Sequence, residues 1–207
     1  MFTGPVLIGI TGNIGSGKSF FCNLLREDGH TVISADEIAQ QQLNDPDSVR
    51  QITKRWGKEV LRGGKPDRKK IAGIVFNRKA ELDFLNSIVH PKTLGAIQNI
   101  VDNSTEKFLF LEVPLLFEAG MQHCFDYIVL IHANRDVRLT RLLKSGRETP
   151  VEIQARMNAQ IDDLGKIPLC DLVIDNNGST AALKKQYADF IRRLSGIKQK
   201  NKLSFSS

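Results

Sequence analysis

Gly12-Asn13-Ile14-Gly15-Ser16-Gly17-Lys18-Ser19 matches the phosphate-loop pattern G-x-x-x-x-G-K-[ST] in full. Just before it runs Val6-Leu7-Ile8-Gly9-Ile10, a short apolar stretch of the kind a buried strand needs. Just after it, Phe20, Phe21, Leu24 and Leu25 recur at helical spacing. Strand, glycine-rich loop and helix in that order is the setting in which the pattern binds phosphate. The glycines let backbone N–H groups curl around phosphate oxygens, and the helix N-terminus adds its positive dipole end. Lys18 can reach the β- and γ-phosphates, and Ser19 can offer its hydroxyl to Mg²⁺. The bland alternative, a glycine-rich turn that binds nothing, is disfavoured by the flanking strand and helix. Gly12 through Ser19, with Phe20 directly after them, are therefore the expected nucleotide-binding residues.

Outward from the loop, strand-like runs alternate with helical ones. Further strands are expected at 31–34, 108–113, 127–131 and 172–174, and helices at 136–144, 150–164 and 179–194. Strands separated by helices imply parallel pairing with right-handed crossovers. The fold expected is α/β, a three-layer sandwich around a five-stranded parallel sheet. The second and third strands are too far apart for one crossover. Residues between them read as helices near 36–43, 47–56, 68–76, 79–89 and 91–102, with turns at Asp45-Pro46 and Gly63-Gly64-Lys65-Pro66. The division expected is a core at 1–35 and 104–200, carrying a lid at about 141–160. A helical lobe is inserted at 36–103, and 201–207 is a disordered tail.

Composition narrows the partners. The chain has 207 residues, 29 Lys and Arg against 23 Asp and Glu, and a net charge of +6. The basic surplus gathers near the C-terminus, in Lys184, Lys185, Arg192, Arg193, Lys198, Lys200 and Lys202, and reads as a solvated helix face and frayed end. No aromatic interleaving suggests a nucleic-acid platform. Cys22, Cys124 and Cys170 form no C-x-x-C pair, and the four histidines show no metal spacing. No apolar run reaches the ~18 residues of a membrane helix, and no basic leader opens the chain. A cytoplasmic chain with reduced thiols, no nucleic-acid or membrane partner, and a monomeric or weakly homo-oligomeric state is expected.

Open parallel sheets bind ligands at the C-terminal ends of their strands. Five such places are polar or turn-forming: the loop, Asp36, Pro114 to Glu118, Asn134-Arg135, and Asp175 to Gly178. Phosphoryl transfer needs a phosphate cradle, a metal, positive charge on the transferring group and a positioned nucleophile. Asp36 is the candidate base or metal ligand, against the plainer reading of a helix N-terminal acid. Arg138, Arg141 and Arg147 are candidate charge donors, while Gln160 faces the same lid. Asp162 and Asp163 read as solvated, and His90-Pro91 as a junction between helices. Arg68 can bind an acceptor phosphate through its guanidinium. Leu115 and Leu116 read equally well as core packing.

Together these segments resemble the dephospho-CoA kinase family over nearly the whole chain. The resemblance is carried by Ile10 to Ser19, Val32-Ile33-Ser34-Ala35-Asp36, Asp67-Arg68 with Val75-Phe76, and His90-Pro91. Val113-Pro114-Leu115-Leu116-Phe117-Glu118 is its most specific part, and Arg156, Gln160 and Asp171 to Gly178 complete it. The resemblance implies a P-loop kinase core with a helical CoA-binding lobe and a lid. It implies ATP-dependent phosphorylation of the ribose 3′-hydroxyl of dephospho-CoA, with Mg²⁺. By the same resemblance Asp36 is the base, Arg68 and His90 serve the acceptor together with Pro114, Leu115, Leu116 and Glu118, and Asn176, Asn177 and Gly178 lie by the adenine.

Departures stand beside these matches. Ser34 replaces the first Asp of a usual Asp-Ala-Asp, Phe20 replaces a usual Thr, and Cys170 a usual Ala. Ser145 falls where a lid arginine is common, Arg147 lies two residues on, and Arg141 fits the charge-donor role better than either. The competing readings are another small-molecule P-loop kinase, such as a nucleoside monophosphate kinase, and an NTP-binding regulator with little catalysis. The Pro114 to Glu118 segment argues against the first, and Ser34 makes the second conceivable.

Overall fold

The computed structural model describes residues 4–76, 78–200 and 204–205. In chain order the main elements are β1 (Val6–Thr11), α1 (Lys18–Glu27), β2 (Val32–Ser34), α2 (Ala35–Leu43), α3 (Pro46–Trp56), β3 (Leu61–Arg62), β4 (Lys65–Pro66), α4 (Arg68–Val75) and α5 (Lys79–Asp102). They continue with β5 (Phe108–Glu112), β6 (Tyr127–His132), α6 (Arg135–Ser145), α7 (Pro150–Asn158), α8 (Asp163–Lys166), β7 (Leu172–Asp175) and α9 (Thr180–Leu194). Two compact units result: described residues of 4–34 and 103–204, and residues of 35–102 with Phe205.

The first unit holds a five-stranded parallel sheet in the order β2-β5-β1-β6-β7. All of β1 is buried, as its apolar run requires of a central strand with both faces covered. Ile8 and Ile10 join Phe21 and Leu25 of α1 and Leu183, Tyr187 and Phe190 of α9 in one core. Burying each such side chain contributes about 1.5–3 kcal/mol. The Phe21 and Tyr187 rings meet edge to face at 5.4 Å. The Tyr187 hydroxyl donates to Asp28 Oδ2 at 2.6 Å, fastening α9 to the end of α1. Strand β1 lies between β5 and β6, so successive crossovers leave it in opposite directions. That is where a doubly wound sheet opens its ligand crevice.

The second unit is helical apart from the β3-β4 hairpin, whose tight turn is Gly63-Gly64. Its helices start on sequence signals. Asp45 caps α3 by accepting from the N–H groups of Asp47 and Ser48, with Pro46 at the first helical position. Asp67 caps α4 in the same way through Lys69 and Lys70. Ile52, Val60, Ile71 and Ile88 form the core, with Trp56, Phe84 and Leu85 packed on it.

Several expectations need correction. His90-Pro91 is not a junction: α5 runs unbroken through Pro91, since one missing N–H is tolerated where Ile88, Val89 and Thr93 are buried on either side. The helix expected at 150–164 stops at Asn158, and α8 begins again at Asp163. Tertiary bonds claim the interval, because the Ile161 N–H donates to Glu118 Oε1 and its carbonyl accepts from Asn13. Asp163 is 1% exposed rather than solvated, and holds His132 Nδ1 at 2.7 Å. The tail expected at 201–207 lies largely outside the described residues. Phe205 is described, and it is buried, its N–H donating to Gln98 Oε1.

Trp56, the chain's single tryptophan, reports on the second unit. Its indole N–H donates to Glu81 Oε2 at 2.6 Å, and Arg55 binds both Glu81 oxygens. Arg55 first, then Trp56, hold the Glu81 carboxyl at about 2, below its ordinary 4.5. A lowered folded pKa adds stability above the unfolded value and loses it as pH falls through the folded one. Glu81→Gln is expected to lower the unfolding midpoint at pH 7 and to change Trp56 emission. The gap between wild type and variant narrows as pH falls from 4.5 toward 2. A gap unchanged over that window in fluorescence-detected melts contradicts the assignment.

Candidate active site

The loop 12–19 spans from the end of β1 to the first turn of α1, and its glycines are there for space as well as for dihedral angle. Gly17 has φ of 95°, and a Cβ on it would lie 2.2 Å from Asn176 Nδ2. A Cβ on Gly12 would lie 2.5 Å from the carbonyl oxygen of Ile131. Side chains brace the loop from behind. Asn176 Nδ2 donates to the Ser16 carbonyl at 2.7 Å, and Gln160 Oε1 accepts from the Ile14 N–H at 2.9 Å. Asn13 Nδ2 donates to the Ile161 carbonyl at 3.0 Å. Arg138 is 3% exposed and donates to the Ala133 carbonyl, with Nη1 3.5 Å from the Ile14 carbonyl. As a buried brace it is not free to serve as the charge donor considered from sequence.

Lys18 and Ser19 converge on one carboxylate. Lys18 Nζ lies 3.2 Å, and Ser19 Oγ 3.3 Å, from Glu112 Oε1. Arg26 Nη2 is 3.7 Å from the other oxygen. Glu112 ends β5 and is the register partner of both Ile10 and Ser34. Sequence reasoning passed over it as part of a strand. The available signal was a lone carboxylate closing the apolar run Phe108-Leu109-Phe110-Leu111. Beneath it, burial first and then Glu112 push the Cys22 thiol up to about 12. Phe20 is 39% exposed, beside Ser19 at the mouth of the loop.

Across the sheet, residues 176–178 form a second cluster. The buried Asn176 donates its N–H to the His132 carbonyl at 2.8 Å, and Asn177 Oδ1 accepts from the Asn134 N–H at 2.7 Å. Gly178, next in the chain, is exposed. Arg141 joins this cluster, its Nη2 donating to the Asn176 carbonyl at 2.8 Å. Its Nη1 is buried without a partner among the described residues. Arg147 is exposed, and Arg156 pairs with Glu148.

The segment after β5 divides its labour. Leu116 is fully buried, whereas Leu115 is 47% exposed, so core packing accounts for one and not the other. The Pro114 carbonyl accepts from Thr11 Oγ1 at 3.4 Å, and Glu118 is tied to Ile161. In the second unit Asp36 is exposed in the first turn of α2, two residues beyond the end of β2. Arg68 is exposed at the start of α4, and His90 is exposed midway along α5.

The sequence profile of the dephospho-CoA kinase family matches residues 6–182. The chain belongs to this family. It is 35% identical over 198 residues to the dephospho-CoA kinase of Geobacillus kaustophilus, covering 93% of this chain and 98% of that one. Among solved structures it is similar to TT1252 from Thermus thermophilus, with a TM-score of 0.80 and 31% identity over 93% of this chain and 99% of that one. It is similar also to dephospho-CoA kinase from Campylobacter jejuni, with a TM-score of 0.71 and 28% identity over 93% and 98%. The parallel sheet and the loop at its centre are thus those of a P-loop kinase.

Gly17→Ala is expected to test the brace. The new methyl meets Asn176 Nδ2 and forces a left-handed φ on alanine, costing about 1–3 kcal/mol of stability. Calorimetry is expected to show ADP affinity reduced at least about tenfold, a loss of about 1.4 kcal/mol. Wild-type melting and wild-type affinity together contradict it.

Proposed function

We propose that the chain performs its family's reaction through Lys18, Asp36 and Arg141: transfer of the γ-phosphoryl group of ATP to the ribose 3′-hydroxyl of dephospho-CoA, the final step of coenzyme A synthesis. The observation that carries the reading is the convergence of Lys18 and Ser19 on Glu112 at the end of β5, inside a braced phosphate loop. The loop N–H groups and the N-terminus of α1 receive the phosphates of ATP. Lys18 supplies charge to the β- and γ-phosphates. Arg141, whose Nη1 is buried without a partner among the described residues, is the proposed charge donor to the transferring group, while Asn176, Asn177 and Gly178 are proposed to lie by the adenine.

The residues at the loop's end suit Mg²⁺. Ser19 Oγ and Glu112 Oε1 are hard oxygen donors 3.3 Å apart. No group of three His, Cys, Asp or Glu side chains among the described residues cages a metal, so these donors would share the ion with phosphate oxygens and water. When bound, Mg²⁺ neutralises charge that develops on the phosphates. Ser34 removes the carboxylate usual in the family, and Glu112, its register partner, supplies one. Asp36 is the proposed base, accepting the proton of the 3′-hydroxyl, and is also proposed as a metal-side carboxylate. Arg68 and His90 are proposed to hold the acceptor, with Pro114 and the exposed Leu115. Leu116 and Glu118 shape that segment from behind. No described helix is long and apolar enough to cross a membrane, and all three cysteines are free, in keeping with a cytoplasmic setting.

Coupled ADP release with purified protein tests the reading. Turnover is expected with dephospho-CoA. Asp36→Asn is expected to reduce kcat by about 10²–10⁴, the usual worth of a general base, with ADP affinity unchanged. No turnover with dephospho-CoA alongside turnover of another alcohol would transfer the chain to a different acceptor. Full activity in Asp36→Asn would remove that residue as base.

A further inference from the structure

Lys166 is a lysine with no exposed surface. It ends α8, and its ammonium donates to Asn13 Oδ1 at 2.6 Å and to Glu118 Oε1 at 2.8 Å. Burying an ammonium is costly unless its protons find acceptors, and a leucine or methionine would fill the same space without that cost. What the charge gains is connection. Asn13 is the second residue of the phosphate loop, and Glu118 closes the segment after β5.

The contacts form a closed ring. Lys166 holds Asn13 Oδ1, Asn13 Nδ2 donates to the Ile161 carbonyl, the Ile161 N–H donates to Glu118 Oε1, and Glu118 returns to Lys166. Gln160, next to Ile161, takes the Ile14 N–H. Three segments far apart in sequence thus meet at one cation: the phosphate loop, the segment after β5, and the chain leaving α7. The base of α8 is fixed in turn by Asp163, buried and bound to His132 Nδ1. Glu118 Oε2 and Asp163 Oδ1 are buried without partners among the described residues, and Glu118 is the carboxylate that meets the ammonium.

We propose that Lys166 is a positioning residue for the phosphate loop. It holds Asn13 and thereby the first turn of the loop, so that the N–H groups beyond stay aimed at the nucleotide phosphates. Through Glu118 it sets the segment after β5 from the same point. The proposal rests on the kinase reading only for its effect on turnover, because nucleotide binding reads it directly.

The test is a double-mutant cycle on Lys166→Met and Asn13→Ala, with ADP affinity measured by calorimetry and folding by thermal melts. Each single variant is expected to weaken ADP binding about tenfold or more, and the double variant to be no weaker than the worse single within about twofold. Independent, multiplying losses would break the link between the two residues. A merely structural role would lower the melting temperature and leave the affinity of folded protein within about twofold of wild type, which overturns the proposal. Should Lys166→Met fail to melt cooperatively, Asn13→Ala alone decides, since wild-type ADP affinity there is equally fatal. Tight ADP binding without turnover of dephospho-CoA would sink the kinase reading while the cycle still reports on Lys166.

Discussion

A phosphate loop faces a constraint that an ordinary turn does not. Its N–H groups must point at an anion, so they cannot satisfy one another, and buried backbone groups left without partners are costly. The loop therefore needs bracing from outside. Here the braces are Asn176 on the Ser16 carbonyl, Gln160 on the Ile14 N–H, and Asn13 on Ile161. Gln160 and Ile161 follow α7 and Asn176 follows β7, and one sheet order brings them to the loop. A central β1 with β6 and β7 on one side makes this possible. In that sense the topology exists to hold eight residues still.

Charge is arranged around the same point. Lys18 and Glu112 are each 12% exposed, and a largely buried pair of this kind adds little net stability, because desolvation offsets attraction. The pair instead keeps a cation and a carboxylate together at the place where phosphate and metal chemistry is proposed. Burial first, and then Glu112 above it, push the Cys22 thiol up, so it stays protonated at neutral pH.

Much of this was legible in the residues. The five strands followed from apolar runs, and the loop from its spacing, because those signals are local. Asp67 announced α4 for the same reason, whereas Asp45-Pro46, expected as a turn, caps and opens α3. What stayed hidden was set by distant partners. Asp163 sits beside Asp162 in sequence and reads as solvated, yet His132, 31 positions away, draws it inside. Lys166 carries no local signal of burial, and its acceptor Asn13 lies 153 positions away. The helix after Pro150 ends early because Glu118 and Asn13 take the backbone of Ile161. Leu115 and Leu116 are the same residue type side by side, and only the tertiary structure separates the exposed one from the buried one.

Register decides what lies beside the loop's end. Ser34 closes β2, and its partner on the adjacent strand is Glu112, the carboxylate that Lys18 and Ser19 approach. The glycines are fixed by steric space instead. At Gly12 and Gly17 the obstruction is a backbone oxygen or the bracing amide itself, and moving either would undo the support that makes the loop a phosphate site.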